Sequence, residues 1–219
     1  CDFENDGTLN VVSLANAAGT AAGSAAWGDA AVIIPWTMYL SYGDERILEE
    51  QYASMTKWID YMRNRAGNDY LWQDDFHFGD WLAFASQGMA ANDYPGATTD
   101  KDLIATAFFA HSTDLVQRTA RVLGKQADVA QYGELLANIK SAFRREFVTE
   151  TGRVGENTQT AYALALQFDL LPDGLRPLAA HKLVQEIRKR KHLTTGFVGA
   201  SYLNQVLSRY GYLEEAYLL

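Results

Sequence analysis

The chain has 219 residues, 48% of them hydrophobic and 21% charged, the composition of a globular protein with room for a substantial core. A formal net charge of −8 repels phosphate backbones, so nucleic acid is not an expected partner, and apolar runs break off too soon to cross a membrane. One cysteine and four scattered histidines supply neither a disulfide framework nor a zinc-type ligand cluster, so no metal is expected. Nothing reads as a signal peptide. Cys1 stands first, and Leu219 arrives one or two turns into a helical pattern, so both ends read as cut.

Residues 1–26 are rich in Gly, Ala, Asn, Thr and Ser without sustained periodicity, and read as an ordered lead-in loop with a turn at Asn5-Asp6-Gly7. The loop runs into Ser24–Trp36, where a helix from about Ala26 to Tyr42 is apolar on nearly every side. Such a helix is expected to be surrounded by others. Trp27 and Asp29 stand at its mouth, the first offering a flat apolar face and the second a carboxylate at the positive end of the helix dipole. Pro35 should kink this helix unless it lies in the first turns, Gly43 ends it, and Asp44 is expected to cap the next.

From Asp44 to Arg65 the apolar residues Leu48, Tyr52, Met55, Ile59 and Met62 fall at 4-3-4-3 spacing, the pattern of a one-sided helix. An all-round apolar helix followed by an amphipathic one makes a hairpin with an inner and an outer arm. The pair recurs. Residues 103–123 are followed by an outer helix marked by Val129, Tyr132, Leu136, Ile139, Phe143 and Phe147. Thr158–Leu171, nearly free of charge, precedes an outer helix with Ala180, Leu183, Val184 and Ile187 on one face. A fourth inner helix, about Gly199 to Tyr210, ends at Gly211, where its partner begins. The run Arg188-Lys189-Arg190-Lys191 closes a helix, where cations complement the dipole and stay solvated.

The unevenly spaced turns argue against a solenoid of fixed period and for an all-α toroid of helical hairpins. In a toroid the inner helices run parallel, so the segments preceding them gather at one end. These are Trp27-Gly28-Asp29, Phe78-Gly79-Asp80-Trp81, Thr98-Thr99-Asp100, Asn157-Thr158-Gln159-Thr160 and Thr194-Thr195-Gly196-Phe197. Aromatics, carboxylates and small hydroxyl residues suit a neutral polyhydroxylated ligand, with rings for its C–H faces and polar groups for its hydroxyls. Trp27 and Trp81, each beside a Gly-Asp pair, are the candidate ligand platforms.

The stretch 67–99 is too long for an idle connection. Its Tyr70, Trp72 and Phe76 read as aromatics that hold the loop down, and Asp74 and Asp75 as a solvated acidic turn without the spacing of a calcium loop. His111 reads as a hydrogen-bonded core histidine.

The segments Ala26–Trp36, Gly79-Asp80-Trp81-Leu82-Ala83, Leu103-Ile104-Ala105-Thr106-Ala107, Thr158–Leu166 and Thr195–Gly199 occur in an order that resembles the catalytic domain of the bacterial α-L-rhamnosidases. These are glycoside hydrolases of the six-hairpin (α/α)6 class, and about four of the six hairpins are represented over 1–219. The resemblance implies cofactor-free, inverting hydrolysis of terminal α-L-rhamnosides. In that mechanism one carboxylic acid protonates the leaving oxygen and a second carboxylate activates water, the two lying about 6.5 to 9.5 Å apart. The family's acid stretch, an Arg-Asp-Glu-Arg type run, precedes the match to Trp27, and its base glutamate follows the match to Leu219. No residue of 1–219 is therefore expected to carry the proton transfers. By the same carry-over Trp27 and Trp81 line the rhamnose site, while Asp29 and Asp80 hold hydroxyls or position neighbours. Two other readings stay open: another six-hairpin carbohydrate hydrolase or lyase, and a helical interaction scaffold in which the mouth motifs are only caps and packing.

Overall fold

The computed structural model describes residues 23–83 and 99–219, together with the backbone of a short antiparallel pair, β1 (Asp2–Phe3) and β2 (Leu9–Asn10). Eight α-helices follow among the described residues: α1 (Ala30–Tyr42), α2 (Arg46–Ala66), α3 (Lys101–Val122), α4 (Gln126–Phe147), α5 (Gln159–Gln167), α6 (Arg176–Arg190), α7 (Phe197–Arg209) and α8 (Leu213–Leu218). The alternation of inner and outer arms is thus present as four consecutive pairs. Most of the expected lead-in loop, Thr98 and the second half of the long stretch 67–99 lie outside the described residues.

The chain divides into two compact units, one of residues 1–77 with 108–142 and the other of 78–107 with 143–219. In the first unit α1 packs against α2 after a reversal at Gly43, whose left-handed φ of 68° lets its N–H reach the Tyr39 carbonyl. The inward stripe of α2 is Leu48, Met55, Trp58, Ile59 and Met62, all fully buried. Tyr52 lies on the same helix, and its hydroxyl donates to Asp128 in the first turn of α4 at 2.6 Å. Burial and that carboxylate together push the Tyr52 phenol far above its ordinary range.

Two local expectations are corrected here. The helix begins at Ala30, because Ser24–Asp29 form a turn in which the Gly28 N–H donates to the Ser24 carbonyl at 2.7 Å. Asp44 is not the cap of α2; Glu45 is, and the Asp44 carboxylate instead takes the Arg46 N–H at 3.0 Å and pairs with its guanidinium. The cover of α1 is one-sided. Only Val32 and Pro35 are buried, while Ile34, Met38, Leu40 and Tyr42 are exposed, so the described residues cover one side of this apolar helix and leave the other open.

In the second unit α5 packs on both α6 and α7, and α7 on α8. Every residue from Gln159 to Leu166 is buried, which is why this segment carries no charge. The helix stops at Gln167, short of the expected Leu171. The chain turns there through Asp169 (φ 53°), and the Leu170 carbonyl is taken by the Arg144 guanidinium at 2.8 Å. Against α5, the outer helix α6 turns Ala179, Ala180, Leu183, Val184 and Ile187 inward. Its basic end stays largely solvated, with Arg188 reaching Glu215 of α8 at 2.9 Å.

Candidate substrate-binding site

The head of α1 is fixed by one carboxylate. Asp29 is fully buried, and its two oxygens are taken by three internal donors. Oδ2 accepts the Ala26 N–H at 2.8 Å; Oδ1 accepts the Trp58 indole N–H at 2.9 Å and the Ser112 hydroxyl at 2.5 Å. One side chain thereby ties the turn before α1 to the middle of α2 and the middle of α3. Burial pushes the Asp29 carboxyl above its ordinary range, against the opposing effect of the bonds from Ser112 and Trp58. Gly28 is required beside it, since a Cβ there would lie 2.7 Å from Cζ2 of the buried Trp58 ring. Trp27, one residue earlier, is half-buried.

Trp58 belongs to an aromatic cluster. Its ring stacks on Tyr61 at 5.2 Å between centroids and meets the edge of Trp72 at 5.8 Å. Asp75 closes the cluster: its Oδ2 accepts the Trp72 indole N–H at 2.9 Å and the Tyr61 hydroxyl at 3.3 Å, and its Oδ1 takes the Phe76 N–H at 3.0 Å. Asp75 is therefore an internal fastener and not the solvated turn residue expected from sequence, because two aromatic N–H and O–H groups beneath the loop need an acceptor. Trp72 is fully buried, as a loop-holding aromatic should be, and Asp74 is exposed. No group of three His, Cys, Asp or Glu side chains among the described residues is arranged to hold a metal ion.

The second unit has its own hub. Asp80 is 7% exposed and receives four donors. The Thr160 hydroxyl and the Gly196 N–H, the latter at 2.8 Å, go to Oδ2; the Val198 and Gly199 N–H groups go to Oδ1 at 2.9 and 3.1 Å. Since Val198 and Gly199 lie in the first turn of α7, the carboxylate satisfies donors that the helix cannot pair internally and sits at its positive end. Nearby, the Thr99 and Thr158 hydroxyls bond at 2.6 Å, the Asp100 N–H donates to Glu156 at 3.2 Å, and the Thr158 hydroxyl caps α5 through the Ala161 N–H. The starts of α3, α5 and α7 thus meet the Phe78–Trp81 turn at one end of this unit, as the parallel inner arms require.

Trp81 follows the hub directly. It is 37% exposed, its ring stacks on Phe78 at 5.4 Å and 20°, and its carbonyl accepts the Phe197 N–H at 3.0 Å. Of the four expected site residues, then, Trp27 and Asp29 are adjacent in the first unit and Asp80 and Trp81 in the second. In each pair the tryptophan reaches the surface while the carboxylate faces inward. Sequence reasoning missed Trp58 and Ser112, placed Asp75 in solvent, and named Gly196 only as part of a mouth segment. Trp58 was findable, since it falls three residues after Met55 on the buried stripe; nothing in the spacing marks Ser112.

Comparison with known proteins agrees with this architecture. Residues 3–219 match the bacterial alpha-L-rhamnosidase 6 hairpin glycosidase domain. The chain is 40% identical over 198 residues to an alpha-L-rhamnosidase of Streptomyces avermitilis, covering 90% of this chain and 18% of that protein. It is 42% identical over 201 residues to one from Alteromonas sp. (strain LOR), covering 90% and 21%. Among solved structures, the Streptomyces avermitilis alpha-L-rhamnosidase complexed with L-rhamnose superposes with a TM-score of 0.85 at 39% identity, over 99% of this chain and 20% of that one. The native enzyme from Aspergillus terreus superposes with 0.82 at 34% identity, over 90% and 23%. The chain therefore spans about a fifth of the length of the relatives it matches. With the domain model matched along nearly its whole length, the chain belongs to the bacterial α-L-rhamnosidase six-hairpin glycosidase family.

Proposed function

We propose that these 219 residues form a sugar-holding part of a glycoside hydrolase that removes terminal α-L-rhamnose by inversion, with a rhamnose-containing glycoside as substrate and no cofactor. What carries this reading is Trp81, an aromatic ring kept partly exposed at the end of the second unit where three inner helices begin. A deoxy-sugar presents C–H faces and a methyl group that pack on such a ring, and Trp27 offers a similar surface at the head of α1. The bound L-rhamnose in the Streptomyces avermitilis relative supports the choice of sugar.

Asp29 and Asp80 take the role of positioning neighbours. Each has its oxygens committed to internal donors, so neither is placed to protonate a leaving group or activate water. The proton transfers are accordingly assigned to carboxylates outside these residues, in the stretches where the family carries them.

A panel of nitrophenyl glycosides tests the substrate class. The complete rhamnosidase carrying these residues should release nitrophenol from the α-L-rhamnoside and not from the α-D-glucoside. NMR of the first-formed sugar should show the β-anomer, as inversion demands. Preference for the glucoside would favour another six-hairpin hydrolase, and no turnover of any member, with a protein partner captured instead, would favour an interaction scaffold.

A further inference from the structure

Asp80 and Gly196 are in contact through two different kinds of interaction, and both converge on Trp81. The Gly196 N–H donates to the Asp80 carboxylate at 2.8 Å. On its other side, Gly196 lies so close to the 80–83 turn that a Cβ would sit 2.5 Å from the Asp80 carbonyl oxygen and 2.7 Å from the Ala83 N, and closer still to the Trp81 carbonyl oxygen. Those neighbours are backbone atoms, which cannot swing aside as a side chain would. The next residue, Phe197, donates its N–H to that same Trp81 carbonyl at 3.0 Å.

We infer that Asp80 and Gly196 act together as a latch that positions Trp81 against the first turn of α7, which makes them positioning residues for rhamnoside binding. The inference rests on the sugar-platform reading of Trp81. Backbone contact at Gly196 sets the depth of the turn, and the Asp80 carboxylate sets its orientation by reaching α5 through Thr160 and α7 through Val198 and Gly199. The turn that carries Trp81 is therefore tied to α7 through the Trp81 carbonyl and to α5 and α7 through the Asp80 carboxylate, with the indole stacked on Phe78. A platform arranged in advance binds without ordering cost at the moment of association. Such binding is shared by ground state and transition state, so its loss raises KM and leaves kcat.

The test compares Gly196→Ala, Asp80→Asn and Trp81→Ala in the complete rhamnosidase carrying these residues, using nitrophenyl α-L-rhamnoside. Leu183→Ala, on the buried face of α6, serves as a matched destabilised control. Gly196→Ala and Asp80→Asn should raise KM by ~10-fold with kcat within about twofold, as for loss of uniform binding. The quenching of tryptophan fluorescence by L-rhamnose should shift to the same higher concentrations, and Leu183→Ala should leave both readouts at wild-type values. Wild-type KM in Gly196→Ala beside a raised KM in Trp81→Ala would overturn the latch and keep the platform. Wild-type KM in Trp81→Ala would remove the platform itself, and the latch with it. An equal rise in Leu183→Ala would show that the effect is general destabilisation, which also overturns the latch.

Discussion

The indole N–H of Trp58 donates to Asp29 at 2.9 Å, so the head of α1 hangs on a bond to the middle of α2 that is wholly out of water. Ser112 of α3 shares the same oxygen at 2.5 Å. Asp29→Asn keeps the shape but offers one acceptor oxygen and turns an N–H2 toward a donor. Leaving buried donors unpaired costs about 1–3 kcal/mol. The urea midpoint of Asp29→Asn should fall accordingly with an unchanged slope, and an unaltered midpoint would mean that the carboxylate is not the fastener described.

Gly28 gives a second, steric prediction from the same corner. Gly28→Ala adds a methyl group against the buried Trp58 ring, which is itself wedged between Tyr61 and Trp72. Overpacking of this kind costs about 1–3 kcal/mol. Its effect should shrink in a Trp58→Phe background, where the bicyclic ring is gone. A double-mutant cycle measured by thermal unfolding reads that coupling directly.

The pH dependence of stability should carry a signature of His111. Burial, reinforced by the nearby Arg118 cation, pushes the imidazole down to about 4. Between that value and the ordinary His value near 6.5 the unfolded chain binds a proton that the folded chain refuses. Stability is therefore lost as pH falls through this window, by up to about 3 kcal/mol. Asp29, whose carboxyl is raised, acts in the opposite sense, losing stability as pH rises through its folded value. His111→Gln should narrow the difference in melting temperature between pH 7 and pH 5. An undiminished difference would place the titration elsewhere.

The open side of α1 predicts association. Ile34, at 58% exposure, and Met38 lie one helical turn apart, with Tyr42 a further turn along the same face. A contiguous apolar face of this kind is covered in solution by something. The 219-residue chain by itself should sediment as concentration-dependent oligomers, and Ile34→Glu with Met38→Glu should return it toward monomer. A dispersed wild-type monomer would count against the exposure of that face.

The hairpin succession could be read from the sequence because it rests on spacing. Leu48, Met55, Ile59 and Met62 recur on one side of α2, and the charge-free Gln159–Leu166 has no solvated face to show. Helix ends were less legible, since α5 closes after Gln167 with the Leu170 N–H on the Ala165 carbonyl and with Asp169, not a glycine, in the left-handed region. The two tryptophans proposed to face the sugar stand out in the sequence as aromatics beside Gly-Asp pairs. The inward role of the two aspartates was not, because it depends on donors 29, 83 and 116 positions away in Trp58, Ser112 and Gly196. No local pattern records such partners. The cover of α1 was legible only as a requirement: apolarity states that a face must be covered but not by which residues, and the described residues cover one side.

The most direct test of the central claim is the KM for nitrophenyl α-L-rhamnoside in the full-length protein carrying these residues, measured for Trp27→Ala and Trp81→Ala, with Trp36→Ala as the control within α1. The account predicts that both tryptophan variants raise KM by ~10-fold or more while Trp36→Ala stays near wild type, and that turnover at saturation survives in all three, because it assigns the proton transfers to other residues. Wild-type KM in both Trp27→Ala and Trp81→Ala would contradict it.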